Sequence, residues 1–497
     1  MSLLKKLAGE TAIYGISSIL GRVLHFVILT VYLTRVLEDS EYGIFSEMYS
    51  YAGMLMVLFT YRMETAFFRY GSKPGELDKS FSTASISLIV STLLFVGGIV
   101  LLAPQIAEHL LQYPDRADYV IWFALIIGFD TLAAIPFARL RLENRPIKFA
   151  VIKILNILIN AGCIFFFLEG IPFLIAQGFD NWEAFYYPEH LLSYVFVSNL
   201  IASACVMLLL LPAYFKIKLQ FDFSLWRTMM RYTLPLVVVG FAGIFNQLSS
   251  VPLLKSFLPG TLEQKQAAMG LYSASAKIAV LMNLFIQAFN YAAEPFFFNH
   301  ADRKDARQMY AQTAQAFAMV GSLVFLGILL YLDIVQLMIG ENLRGGVDIV
   351  PILLLAYFFL GLYYNFSIWY KLKDQTKIGA YISITGVLIT LAINFFLLPR
   401  IGYQGAAWAA LACYAFMAGA SYWTGRKYYP IAYPIPKITT YIVVAVLGYF
   451  ASLFLRPYLQ ENLYLILLVN TLILSICLAI YYQLEKTVIR NLLKLDQ

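Results

Sequence analysis

The sequence predicts an all-α polytopic membrane protein, and three features of the chain lead to this prediction. Hydrophobic residues make up 61% of the 497 residues and charged residues only 13%, whereas a soluble domain is typically about half apolar and a quarter charged. Nearly uncharged apolar stretches recur from one end of the chain to the other. The connections between these stretches are short. A cytosolic enzyme, a transcription factor and a secreted disulfide scaffold are therefore excluded.

About fourteen apolar segments are long enough to be transmembrane helices, which need about 20 residues each. The longest connection, around 169–188, is aromatic and is expected to lie on the membrane surface. No connection has room for a soluble catalytic domain, so we expect a protein that is not an enzyme. The predicted helices extend over about 11–36, 42–68, 80–103, 117–139, 147–168, 189–212, 232–257, 268–297, 306–332, 347–370, 377–398, 405–425, 437–455 and 462–484.

The basic residues predict how the chain is oriented. Most of the 36 lysines and arginines lie at the two termini and in the even-numbered connections, such as 139–153 and 216–231. Because cytoplasmic loops carry the excess of Lys and Arg, we expect a multi-pass protein of the cytoplasmic (inner) membrane with both termini in the cytoplasm. The formal net charge of +7 is thus a determinant of topology and does not indicate nucleic-acid binding.

Two short matches within the chain indicate an internal repeat. Residues 42–46 (YGIFS) resemble 269–273 (MGLYS), and residues 140–144 (LRLEN) resemble 370–374 (YKLKD) at nearly the same spacing. Each match recurs six helices later, where the chain has the same orientation, so the repeat is a parallel one. The sequence therefore predicts a six-helix bundle over 1–228, a second six-helix bundle over 229–430, and two additional helices with a cytoplasmic tail over 431–497.

The sequence contains no motif of a catalytic or metal centre. The four cysteines, Cys163, Cys205, Cys413 and Cys477, each stand alone in an apolar run, and no two of the four histidines are close together. Zinc-binding, nucleotide-binding and nucleophile motifs are missing from the sequence. We therefore expect no cofactor, no bound metal and no catalytic residues.

Basic residues inside predicted helices are the candidate substrate-binding residues. A charge at the middle of the bilayer costs about 2.5–3.5 kcal/mol and usually faces a polar interior. Arg22 and His25 share one face of the first helix, Arg62 lies near the end of the second, and Lys277 lies in the eighth. If they converge, these side chains form a cationic chamber that could bind an anionic group.

Other roles remain open for the same residues. Arg22 could pair with an acidic neighbour such as Glu47 or Asp130, and these two carboxyl groups are also candidates for proton coupling. Arg62 could extend to the membrane surface. Glu64 is about 200° from Arg62 on an ideal helix, so both can face one cavity only if the helix is distorted.

Polar side chains on the fifth and eighth helices could serve either helix packing or the lining of a cavity. On the fifth helix, Lys153 with Asn156 and Asn160 could be packed or could line a cavity. An all-polar stripe on the eighth helix is more typical of hydrogen bonds between helices.

Three stretches carry a resemblance to a known family. The first predicted helix ends in YLTR at 32–35 and is followed by EYG at 41–43; the second ends in AFFR at 66–69; and PRIGYQGAAWA at 399–409 leads into the twelfth. With these motifs and the fourteen-helix plan, the chain resembles the polysaccharide-synthesis branch of the multidrug/oligosaccharidyl-lipid/polysaccharide flippase superfamily. Where many members have a small or glycine-rich turn near the end of the second helix, this sequence has YRME at 61–64.

The resemblance implies a flippase that moves a polyprenyl-pyrophosphate-linked oligosaccharide across the cytoplasmic membrane by alternating access. Its implied partners are that lipid-linked glycan, membrane lipids and a glycan polymerase or export machinery. A peptidoglycan-precursor flippase and a multidrug or cation antiporter of the same superfamily remain alternatives. An integral-membrane glycan polymerase is less expected, since it would need a large outer loop with catalytic residues.

Overall fold

The computed structural model describes residues 30–215, 220–299, 303–373, 375–459 and 462–494. These ranges are built from helices and short connections, and no strand occurs in them. The predicted all-α class is therefore confirmed. The longer helices before Pro252 are α1 (Val31–Val36), α2 (Asp39–Thr60), α3 (Met63–Gly71), α4 (Leu77–Leu101), α5 (Ala117–Leu142), α6 (Pro146–Phe165), α7 (Leu191–Tyr214) and α8 (Phe223–Leu248). Those that follow are α9 (Ser250–Phe257), α10 (Leu262–Asn299), α11 (Ala306–Leu330), α12 (Val350–Phe366), α13 (Thr376–Ile401), α14 (Gln404–Tyr428), α15 (Ile435–Leu455) and α16 (Leu463–Lys494).

Eleven helical segments in the described ranges are long and apolar enough to cross a membrane. They correspond to the third to eleventh, the thirteenth and the fourteenth predicted segments. The second and twelfth predicted segments are also helical, as α2–α3 and α14, although they do not belong to this apolar set. The first predicted segment lies almost wholly outside the described residues. The chain is thus a multi-pass membrane protein, as the composition predicts.

The prediction of one continuous second helix over 42–68 is wrong. The backbone of Tyr61 and Arg62 is left-handed, with φ of 32° and 55°, and this ends α2 and starts α3. A left-handed residue other than glycine costs about 1–2 kcal/mol, so other contacts have to stabilise the break. The Tyr61 hydroxyl lies 2.5 Å from Ser87 Oγ on α4, and Trp226 Nε1 donates to the same oxygen at 2.8 Å.

The described residues divide into two compact units, the first ending at Pro252 and the second beginning at Leu253. In the first unit, α5 packs against α2, α4 and α7, and α8 packs against α2, α3 and α4. Part of its core is a cluster that includes Met63, Phe67, Phe81 and Ile135. The division into bundles over 1–228 and 229–430 stays a prediction.

The start of α8 is set by a carboxylate that caps the helix. Asp222 Oδ1 accepts a hydrogen bond from the Leu225 amide at 2.8 Å, which satisfies one of the free N–H groups of the first turn. The other carboxylate oxygen lies 2.6 Å from Lys79 Nζ on α4. This ion pair holds the pKa of Asp222 below its usual range. It therefore ties the beginning of α8 to α4.

In the second unit, α14 packs against α12 and α13, while α15 and α16 pack against α11. A buried carboxylate joins these last three helices. Glu485 Oε1 on α16 accepts from Lys437 Nζ on α15 at 2.8 Å and from Gln315 Nε2 on α11 at 2.8 Å. Because the carboxylate is paired and hydrogen-bonded, its burial is tolerated, and the C-terminal helices are held to the rest of the unit.

Candidate functional site

The first unit contains a cavity of about 570 Å³ between α2, α3, α5, α6, α7 and α8. Its volume falls in the range of small-ligand pockets. Apolar side chains such as Met56 and Phe137 form part of the wall. Membrane-spanning helices rarely carry ionisable groups, and those that do usually direct them at a functional cavity. The charged residues of the lining are Arg62, Glu64, Asp130, Arg141 and Lys153, and its polar residues include Thr60, Asn156, Asn199 and Ser203.

The break between α2 and α3 brings two of these charges into the cavity. An ideal helix would direct Arg62 and Glu64 to different sides, but the left-handed turn at 61–62 places both in the lining. Arg62 Nη1 lies 3.9 Å from Glu64 Oε1. Arg62 and Glu64 can face one cavity only if the helix is distorted between them, and the left-handed turn is that distortion.

Asp130 lies halfway along α5 and is held by neighbours on two other helices. Its carboxylate is hydrogen-bonded to Ser203 on α7 and is in electrostatic contact with Lys153 on α6. The Lys153 ammonium lies 4.3 Å from the centroid of the Phe137 ring, a contact that stabilises a cation. Asp130 and Lys153 thus form an opposed pair at the cavity wall, contributed by adjacent helices.

Arg141 adds a further positive charge near the end of α5. Its guanidinium lies 4.5 Å from the ring centroid of Phe68 and 5.8 Å from that of Phe149. With three basic and two acidic side chains in the lining, the cavity carries an excess of one positive charge when all of them are ionised. Such a site can bind an anionic group through charge-assisted hydrogen bonds from guanidinium and ammonium donors.

The candidate residues predicted from sequence divide into four groups. Arg62 and Asp130 line the cavity. Glu47 is fully buried, accepts a hydrogen bond from the Tyr113 hydroxyl and is not part of the lining. Lys277 lies in α10 of the second unit, where its side chain is partly exposed. The remaining two, Arg22 and His25, lie outside the described residues.

Sequence reasoning counted Arg141 and Lys153 among the basic residues of a connection. Arg141 lies in the last turn of α5. A positive charge at a helix end is typical of the cytoplasmic side of a membrane and does not by itself indicate a binding site. For Lys153 a usable signal was present, because Lys153 and Asn156 are three residues apart and so share a helix face. Lys153 and Asn156 line the cavity, whereas Asn160, the third residue of that set, is buried and is not part of the lining.

The sequence and the fold were compared with those of known proteins. A family model described as "Polysaccharide biosynthesis protein" matches residues 7–301. No curated protein sequence matches the chain.

Solved structures with a similar fold include lipid II flippase MurJ in an inward closed conformation, at 14% identity and a TM-score of 0.70, covering 95% of this chain and 98% of that one. An inward-facing multidrug resistance MATE family transporter of the MOP superfamily has 9% identity and a TM-score of 0.65, covering 84% and 94% of the two chains. A MATE structure in complex with MaD3S has 12% identity and a TM-score of 0.56, covering 87% and 96%. At these identities the likeness concerns the fold.

Proposed function

The chain belongs to the polysaccharide biosynthesis protein family, and we propose that it is a flippase that moves a polyprenyl-pyrophosphate-linked oligosaccharide across the cytoplasmic membrane by alternating access. The observation that carries this proposal is the charged cavity of the first unit, in which Arg62, Arg141 and Lys153 outnumber Asp130 and Glu64. The fold shared with lipid II flippase MurJ supports it.

The three basic side chains suit the headgroup of such a lipid. A pyrophosphate carries about two negative charges and gives up its hydration only where cationic donors replace it. The guanidinium groups of Arg62 and Arg141 can each present two parallel N–H donors to phosphate oxygens, and Lys153 adds a point charge. The hydroxyl and amide groups of Asn156, Asn199 and Ser203 provide hydrogen-bonding surface for a sugar, while the polyprenyl chain stays in the lipid.

The membrane potential supplies a driving force if the chain is oriented with both termini in the cytoplasm. Moving one charge through a potential of 100 mV is worth about 2.3 kcal/mol. Two negative charges moved outward run with an inside-negative potential of this size, and the transfer is therefore favoured by about 4.6 kcal/mol. This is enough to bias transport outward without nucleotide hydrolysis.

Two alternatives to this proposal concern what the protein transports. A peptidoglycan precursor also has a pyrophosphate headgroup and would engage the same basic residues. A multidrug or cation antiporter would use the carboxylates, and Asp130 is the residue that favours this reading. The excess of basic over acidic side chains in the cavity argues for the anionic substrates.

The other roles predicted from sequence remain part of the proposal. Arg22, His25 and Lys277 are proposed to contribute to substrate binding, and Glu47 with Asp130 to energy coupling. Each role is tested by substituting that residue and measuring export of the lipid-linked glycan, with the protein level measured in parallel. A glycan polymerase or an export machinery remains a proposed partner.

The proposal is tested by deleting the gene in its native host and analysing the lipid-linked glycans of the two membrane leaflets. We expect one polyprenyl-pyrophosphate-linked glycan to accumulate on the inner leaflet and its polymer to disappear from the cell surface, both reversed by the wild-type gene. Accumulation of a peptidoglycan precursor would identify the alternative substrate. Unchanged lipid-linked glycans in both leaflets would refute the proposal.

A further inference from the structure

Gly240 in α8 lies directly against the guanidinium group of Arg62. A β-carbon added at Gly240 would lie 2.5 Å from Arg62 Nη2, 2.7 Å from Nε and 3.0 Å from Cζ. These are its three nearest atoms, and they belong to one planar group. The Nε–Nη2 edge of the guanidinium therefore points at the part of the α8 backbone where every other amino acid would place a side chain.

The contact explains how Arg62 is held in the cavity lining. The left-handed backbone at Tyr61 and Arg62 sets the direction in which the side chain leaves the chain, and α8 packs against both α2 and α3. Ile244, one turn after Gly240, also lines the cavity. The guanidinium thus reaches the cavity along the face of α8 that forms its wall.

We propose that Gly240 is a positioning residue that holds the Arg62 guanidinium at the wall of the substrate cavity. For its effect on transport, this inference rests on the proposed function. Its effect on the placement of Arg62 is independent of what the protein transports.

Two other glycines of the same unit show that the contact is specific. A β-carbon at Gly53 in α2 would lie 2.5 Å from Leu248 Cδ1, so that glycine serves close helix packing. A β-carbon at Gly243, three residues after Gly240 in α8, would meet no atom within 4 Å. Gly240 differs from both because its neighbour is the mobile end of a charged side chain. Gly240→Ala is therefore expected to displace the guanidinium and leave the helix packing intact.

The test uses Gly240→Ala with Gly243→Ala as its matched control. Both variants replace one glycine by alanine in the interior of the same helix, so their gain in helix propensity is comparable. The purified full-length proteins are treated with phenylglyoxal, and modification of Arg62 is followed by peptide mass spectrometry. We expect the rate at Arg62 to rise several-fold in Gly240→Ala and to stay at the wild-type value in Gly243→Ala. A rate at Arg62 that does not rise in Gly240→Ala would overturn the inference.

A second measurement asks whether Gly240 acts through Arg62. We expect Gly240→Ala to lower glycan export about tenfold in the wild-type background and to cause no further loss in an Arg62→Ala background. An equal loss in both backgrounds would show that the glycine acts through helix packing, and the inference would fail. Normal export by Arg62→Ala would instead refute the role that the proposed function gives to Arg62, while the labelling result would still decide the placement.

Discussion

Lys153 allows the positive charge of the cavity to be tested at a single side chain. We predict that Lys153→Ala lowers export because one charge-assisted contact to the substrate is lost, worth about 1.5–3 kcal/mol or roughly 10- to 100-fold in affinity. Export of the lipid-linked glycan at equal protein level is the measurement. Lys148→Ala is the matched control, since Lys148 lies on α6, is exposed and is not part of this cavity's lining. Equal export by the two variants would contradict the prediction.

Substitution of Asp130 is expected to have the opposite effect on anion binding, because the Asp130 carboxylate competes with an anionic substrate for Lys153. We expect Asp130→Asn to bind inorganic pyrophosphate about tenfold more tightly, a gain of about 1.4 kcal/mol, as measured by calorimetry on the purified protein. Asp118→Asn is the control on the same helix, where Asp118 pairs with Arg116 at 3.2 Å. Weaker or unchanged binding by Asp130→Asn would show that the carboxylate does not oppose the anion.

At the scale of residues, sequence reasoning identified part of the cavity and missed the rest for a physical reason. The cost of a charge inside the membrane correctly drew attention to Arg62 and Asp130. The same argument also selected Glu47, whose carboxylate is buried against Tyr113. Whether a charged side chain faces a cavity or a buried neighbour depends on which helices meet, and this information is not local in the sequence.

The break between α2 and α3 is the element on which the site depends, and Ser87 is its main support. We predict that Ser87→Ala lowers the free energy of unfolding by about 1–2 kcal/mol, because Trp226 loses its partner and Tyr61 keeps only the longer hydrogen bond from Ser91 Oγ at 3.4 Å. Thermal unfolding in detergent measures this change. The control is Ser85→Ala on the same helix, since the buried Ser85 hydroxyl has no hydrogen-bond partner among the described residues. The prediction fails if the two variants unfold at the same temperature.

At the scale of elements, the long helices were predictable because spanning a bilayer requires uninterrupted apolar length. The break at Tyr61 and Arg62 was not, since local rules assign left-handed backbone to glycine. The YRME sequence departs from the family pattern, but the local sequence does not show that Ser87 on α4, itself bonded by Trp226 on α8, contacts the Tyr61 hydroxyl at the break.

At the scale of the whole molecule, the predicted orientation can be tested with single cysteines. Ser72 and Asp115 are exposed and lie in successive connections, before α4 and before α5. In a variant with its four native cysteines replaced, we predict that D115C reacts with a membrane-impermeant thiol reagent in intact cells. S72C should react only after the cells are permeabilised. The reverse pattern would show that the termini are not cytoplasmic, and the direction of charge movement in the proposed mechanism would then be wrong.

The central claim is that the basic residues of the first unit's cavity carry a pyrophosphate-linked glycan lipid across the membrane. The most direct measurement is made in vesicles reconstituted with the purified protein and the glycan lipid that accumulates in the deletion strain. Transfer of this lipid between leaflets is followed for the wild type and for a variant with Arg62→Ala, Arg141→Ala and Lys153→Ala combined. We predict rapid transfer by the wild type and loss of transfer by a correctly folded triple variant. Transfer at the wild-type rate by that variant would contradict the account.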